Sequence, residues 1–128
     1  MQEGDKFEVS YTITPEVYKI YVEGFNDKNP LHTDEEFARQ KGFPSVVMHG
    51  GILTGFLSNF IGEQLPIKNG MIQAYKIAFI KPVFLNTTVI LKAVITGIFE
   101  SVHCIEFKYT FESQGILICK GDIKIGII

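Results

Sequence analysis

Between Met48 and Leu65 the apolar residues Met48, Ile52, Leu53, Phe56, Leu57, Phe60, Ile61 and Leu65 recur three to five positions apart, and Gly62 and Pro66 mark the far end. This spacing lines one side of a helix with a continuous apolar stripe. Such a helix needs a broad apolar partner, and the rest of the chain offers one. After Pro66 the period changes from helical to alternating. "MIQAYKIAFIKPV", "TTVILKAVITG", "VHCIEFKYTFE" and "ILICKGDIKIGII" read as four strands, separated by turn-rich "FLNT", "GIFES" and "SQG". In the second, Val89, Leu91, Ala93 and Ile95 share one face. In the third, Ile105, Phe107, Tyr109 and Phe111 oppose Glu106, Lys108, Thr110 and Glu112. Near the N-terminus, "KFEVSYTI" alternates in the same way. The pattern predicts an α+β protein in which an antiparallel meander, four or five strands wide, buries one face on the long helix.

Ahead of that helix, Thr14 can cap a first helix with Pro15 at its first position, and Val17, Tyr18, Tyr21, Val22 and Phe25 lie on one side. Pro30 is expected to end it, since it disfavours helical geometry at Asn29. Thr33 or Asp34 then caps a short helix, "EEFARQ". A chain of 128 residues with 46% hydrophobic residues can bury one core, so residues 1–128 are read as a single domain. A net charge of -2 and the lack of a basic tract argue against a nucleic-acid partner. "MQEGDKFEVS" is too polar for a secretory signal and no apolar run has transmembrane length, so no membrane association is expected. Cys104 and Cys119 match no zinc pattern and do not fall opposite one another, which suggests free thiols in a reducing cytoplasm.

Two stretches can carry chemistry. In "FNDKNPLHTDEEFA", Asp27 and His32 flank a turn stiffened by Asn29 and Pro30. Two readings are open: a capped surface turn, or an acid/base pair holding a water. In "MHGG", the amides of Gly50 and Gly51 would stand at the start of the central helix, where they suit a carbonyl oxygen gaining negative charge. Alternatively, the glycines merely let the loop turn. His49 and His103 are expected to be structural, His103 on the buried parity of its strand. No metal site is expected from the histidine spacing, and no phosphate loop, dinucleotide fingerprint or serine elbow is present, so no cofactor is expected.

Taken together, "DKNPLHTDEEFARQKGF", "VMHGGIL", an apolar helix ending "GEQLP", and "FIKPVFLNTTV" resemble the MaoC-like, R-specific enoyl-CoA hydratases of the hot-dog fold. The resemblance implies an antiparallel sheet wrapped around a long central helix, and a homodimer joined through its sheets. It implies reversible syn hydration of trans-2-enoyl-CoA to (R)-3-hydroxyacyl-CoA, with Asp27 and His32 binding the water and Gly50 or Gly51 receiving the thioester oxygen. Met48, Ile52, Phe56 and Phe37 are then candidates for the acyl pocket, and Lys41, Lys76 or Lys81 for the carrier's phosphates. The carrier is coenzyme A or an acyl carrier protein, the latter making the chain a 3-hydroxyacyl-[acyl-carrier-protein] dehydratase. A thioesterase is a further alternative, weakened because the central helix carries only Glu63; a catalytically inactive acyl-binding subunit is another. There are departures from the family pattern: Phe25-Asn26 stands where Ser-Gly is common, Leu85-Asn86-Thr87 where Gly-Asp is common, and Gly55 near where a serine is often found.

Overall fold

The computed structural model describes residues 1–128. In chain order it contains β1 (Lys6–Thr12), α1 (Pro15–Phe25), α2 (Pro30–Thr33), α3 (Glu35–Gln40), α4 (Gly50–Asn59), β2 (Gly70–Phe79), β3 (Thr88–Phe99), β4 (Cys104–Ser113) and β5 (Ile116–Ile127). The strands form one antiparallel sheet in the order β1-β3-β4-β5-β2. The expected meander therefore holds only for β3, β4 and β5. β2 does not pair with β3; it lies beyond β5, because the helical layer carries the chain from the β1 edge to the opposite edge. Alternation of side chains reveals a strand's buried face but not its neighbour, which is why periodicity missed this crossover.

The core forms where α4 meets the sheet. Ile52, Leu53 and Leu57 of α4 bury against Val89, Leu91, Ala93 and Ile95 of β3 and Phe107, Tyr109 and Phe111 of β4. Beyond Asn59 the helix runs on as a π-helical turn over Phe60–Gln64, which sinks Phe60 and Ile61 into the same core. The Phe60 ring meets Phe107 edge-on at 5.9 Å and Phe7 at 5.7 Å, the arrangement that aromatic quadrupoles prefer.

Two local features differ from the reading of the sequence, at Pro30 and His103, and a third decides between the two caps it offered. Pro30 does not simply stop a helix but starts α2, where its missing N–H costs nothing at the first position. Asp34, not Thr33, caps α3 by accepting the Phe37 amide at 3.2 Å. His103 is exposed, not a core residue. It ends a 3-10 turn over Glu100–Val102 with φ 51°, and this left-handed step breaks the strand parity before β4 begins at Cys104. Cys104 and Cys119 are buried free thiols, paired in register with Gly126 and Phe111.

Candidate active site

The site is built where α1 ends. Asn26 closes α1 in a left-handed conformation, φ 55°, and returns its amide to the Val22 carbonyl. Asparagine is among the few residues other than glycine that adopt this geometry readily. From there the turn is held by short-range bonds. Asp27 Oδ1 accepts from the Asn29 amide at 3.2 Å, and Asn29 Oδ1 accepts from the Leu31 amide at 3.0 Å. Asn29 thus caps α2 and Pro30 fills its first position, so His32 rides on a helical turn instead of a free loop.

Two further bonds fix His32. The Tyr18 hydroxyl donates to its backbone carbonyl at 2.6 Å. Burial raises the Tyr18 phenol above its ordinary range, which keeps that donor protonated. The ring Nδ1 lies 2.7 Å from the Val47 carbonyl. A carbonyl only accepts, so Nδ1 carries the proton and Nε2 is left with a lone pair.

The central helix brings the other half. Met48 is tied to Val83 by a backbone bond of 2.9 Å, and α4 starts at Gly50. The amides of Gly50 and Gly51 occupy the first helical turn, where no intrahelical acceptor exists, and no cap or loop group takes them. Neither glycine has room for a side chain. A Cβ at Gly50 would lie 2.6 Å from the tip of the Phe79 ring, and one at Gly51 would overlap the Tyr21 hydroxyl.

His49 is structural, as expected of a histidine just before a buried helix: it bonds a backbone group. It is only 2% exposed, and its Nε2 donates to the Asp27 carbonyl at 2.9 Å and stands 3.9 Å from Asp27 Oδ2. Its ring lies 4.2 Å from that of His32 and 4.7 Å from that of Tyr21. The available signal was its place in the apolar run Val46-Val47-Met48: a histidine there must be buried, and a buried imidazole must find partners.

Asp27, His32 and His49 each bring a donor atom within 4.8 Å of the others, a convergence that their spacing did not suggest. The set does not fit a metal well. His49 Nε2 directs its proton at a carbonyl, so that nitrogen has no lone pair to give, and its Nδ1 is buried with no partner. The unencumbered pair is Oδ2 of the Asp27 carboxylate, about half exposed, and His32 Nε2.

Beside His32 is a cleft of about 300 Å3, lined by Val47, Met48, Gly50, Leu53, Phe79 and Lys81 among others. Of the four residues expected at an acyl pocket, Met48 alone borders it. Ile52 is 3% exposed and belongs to the core, and Phe56 stacks on Tyr11 at 4.6 Å. Phe37 is half-buried on α3, under the Lys41 ammonium. Leu53, not its neighbour Ile52, borders this cleft, a choice decided by helix rotation that an apolar stripe this wide leaves open. A larger concavity, about 910 Å3, is the saddle of the sheet's outer face; it is lined by Lys6, Lys76, Lys92, Lys108 and Lys120 and touches none of the residues just described.

Residues 1–113 match the MaoC like domain. The chain belongs to this family. It is 24% identical to the (R)-specific enoyl-CoA hydratase of Rhodospirillum rubrum over 98% of its own length and 87% of the relative's. It is 34% identical to the enzyme of the same name from Aeromonas caviae over 58% of this chain and 55% of that one. The solved structure of the A. caviae (R)-hydratase, described as involved in PHA biosynthesis, superposes with a TM-score of 0.91 at 25% identity, covering 100% of this chain and 98% of that one. The fold is the hot-dog fold, as the resemblance implied.

Within this MaoC-like domain the departures acquire physical reasons. Asn26 and Asn86, at φ 55° and 65°, stand where a glycine would otherwise meet the left-handed requirement. Of the hydroxyls near Gly55, that of Thr54 donates to the Gly51 carbonyl at 2.7 Å and Ser58 is exposed.

Proposed function

We propose that this chain, an enzyme of the hydro-lyase class, reversibly adds water to trans-2-enoyl thioesters to give (R)-3-hydroxyacyl thioesters. One observation carries the reading: a carboxylate and an imidazole with a free lone pair converge next to two unclaimed amides at the start of a helix. A water held between Asp27 and His32 Nε2 loses a proton to the imidazole as its oxygen bonds C3. The electron pair of the C2–C3 double bond moves toward the thioester carbonyl, whose oxygen gains negative charge. The Gly50 and Gly51 amides, at the positive end of α4, receive that charge. The proton then returns to C2 from the same side, so water's hydroxyl and hydrogen both end on one face and the addition is syn. Asp27 orients the water and offsets the positive charge passing through His32.

The acyl group is seated in the cleft between Met48, Leu53 and Phe79, with Lys81 at its border as a cation for the carrier's phosphates. Coenzyme A is the carrier in this reading; an acyl carrier protein would use the same site in the dehydration direction. We assign the protein to the cytoplasm, consistent with its free thiols. The partner is a second copy paired along β2. That edge leaves Met71, Tyr75 and Phe79 about half exposed, whereas the apolar face of β1 is largely covered by α4.

Asp27→Asn and His32→Ala are each expected to lower turnover by about two to four orders of magnitude with the unfolding midpoint little changed. Near-normal rates in both variants would sink the mechanism.

A further inference from the structure

Asp27 belongs to an exposed turn after α1, whereas the amides at the start of the central helix belong to α4; the bonds of His32 and Leu31 to Val47 tie α2 to the approach to α4 but do not reach Asp27. One side chain spans that gap. His49, the residue immediately before α4, donates Nε2–H to the main-chain carbonyl of Asp27 at 2.9 Å. Its ring is clamped between His32 at 4.2 Å and Tyr21 at 4.7 Å. Tyr21 in turn presses on Gly51, where a Cβ would overlap its hydroxyl.

We infer that His49 is a positioning residue: its Nε2–H bond holds the Asp27 main chain to the start of α4, so that carboxylate, imidazole and amide donors keep one fixed geometry. The inference rests on the hydration reading and deepens it. The bond runs to the main chain of Asp27 and not to its carboxylate, which stands 3.9 Å away, so His49 acts on where Asp27 is placed and leaves Oδ2, the oxygen not taken by the Asn29 amide, for water. Burial enforces the tautomer. Nδ1 meets no partner, and a proton there would be stranded without an acceptor, whereas on Nε2 it has the carbonyl. The two adjacent imidazoles therefore hold opposite tautomers, Nδ1–H on His32 and Nε2–H on His49. This leaves one ring as a proton acceptor toward the substrate and makes the other a strut.

The test compares His49→Leu, which keeps volume but loses the donor, with His49→Gln, whose amide nitrogen can reproduce the Nε2–H. Both are assayed for hydration beside the wild type. His49→Leu should lose about 100-fold in kcat with KM changed less than about threefold, the effect of a reacting group displaced by an ångström. His49→Gln should recover to within about tenfold of the wild type. Equal losses in both variants, or a normal kcat in a folded His49→Leu, would overturn the inference while leaving the hydration reading intact. A wild type without turnover would overturn both. Nitrogen-15 spectra of histidine-labelled wild-type protein, with His32 and His49 distinguished by substitution, decide the point even where a variant does not fold. His49 should show a protonated Nε2 and an unprotonated Nδ1, and His32 the reverse. A protonated Nδ1 on His49 would overturn the assignment.

Discussion

Asn26 shows at the scale of one residue how a departure from a family pattern can keep the pattern's physics. It replaces a common glycine but meets the same demand, a left-handed end to α1 that aims Asp27 at the site. Asn26→Gly should therefore change stability by only a few tenths of a kcal/mol, whereas Asn26→Ala should cost about 1 kcal/mol, since alanine pays the left-handed penalty without asparagine's local bonding. Chemical denaturation of the two variants checks this. Gly51 carries a stricter constraint. Gly51→Ala places a methyl on the Tyr21 hydroxyl and must displace the Tyr21 side chain, which packs on His49. It should reduce kcat/KM by at least about tenfold, and adding Tyr21→Phe should recover part of the loss; full activity in Gly51→Ala alone would contradict the packing described. Asp27 and His32 were legible as candidates from their spacing around Asn29 and Pro30. His49 was legible as structural, but its partner was not, because a long-range bond to a main-chain carbonyl leaves no spacing to read.

The elements were mostly legible because period and punctuation agree. Thr14 and Pro15 announce α1, and the Thr14 hydroxyl does accept the Val17 amide at 3.1 Å. Thr14→Ala should cost about 1 kcal/mol, read as a shift of the denaturation midpoint. The alternation in β3 and β4 identified Val89, Leu91, Phe107 and Phe111 as inward residues, and all four are buried. Truncating the Phe111 side chain to alanine should cost about 3–5 kcal/mol, the range for a large cavity in a packed core. What period could not supply was order and handedness. The place of β2 beyond β5 depends on which edge the helical layer delivers the chain to, and the parity of His103 depends on a single left-handed residue before β4. The short helix α2 escaped for a related reason: Pro30 is equally compatible with ending one helix and beginning another.

At the scale of the whole molecule, one helix both anchors the core and borders the candidate site. The apolar face of α4 is buried in the sheet, while its first residue, Gly50, borders the cleft beside His32. Stability and site geometry are therefore coupled through α4. Burial also sets a pH limit. The Cys119 thiol is pushed up to about 11 and the Tyr11 phenol to about 12, both chiefly by desolvation. Groups whose native pKa is raised stabilise the fold fully below their unfolded values and lose that contribution as pH rises toward the native ones. Denaturation midpoints should thus hold up to about pH 9 and fall between about pH 9 and 12; a flat profile across that window would contradict the burial of these two groups. Light scattering should give the mass of a dimer, since an open β2 edge with exposed Met71, Tyr75 and Phe79 is a surface that a second copy can cover. The most direct test of the central claim is the enoyl absorbance of crotonyl-CoA on adding the purified protein, followed by chiral analysis of the product. The account predicts loss of absorbance, an (R)-3-hydroxyacyl product, and no loss with Asp27→Asn. An (S) product, or a wild type inert toward crotonyl and longer enoyl thioesters on either carrier, would contradict it.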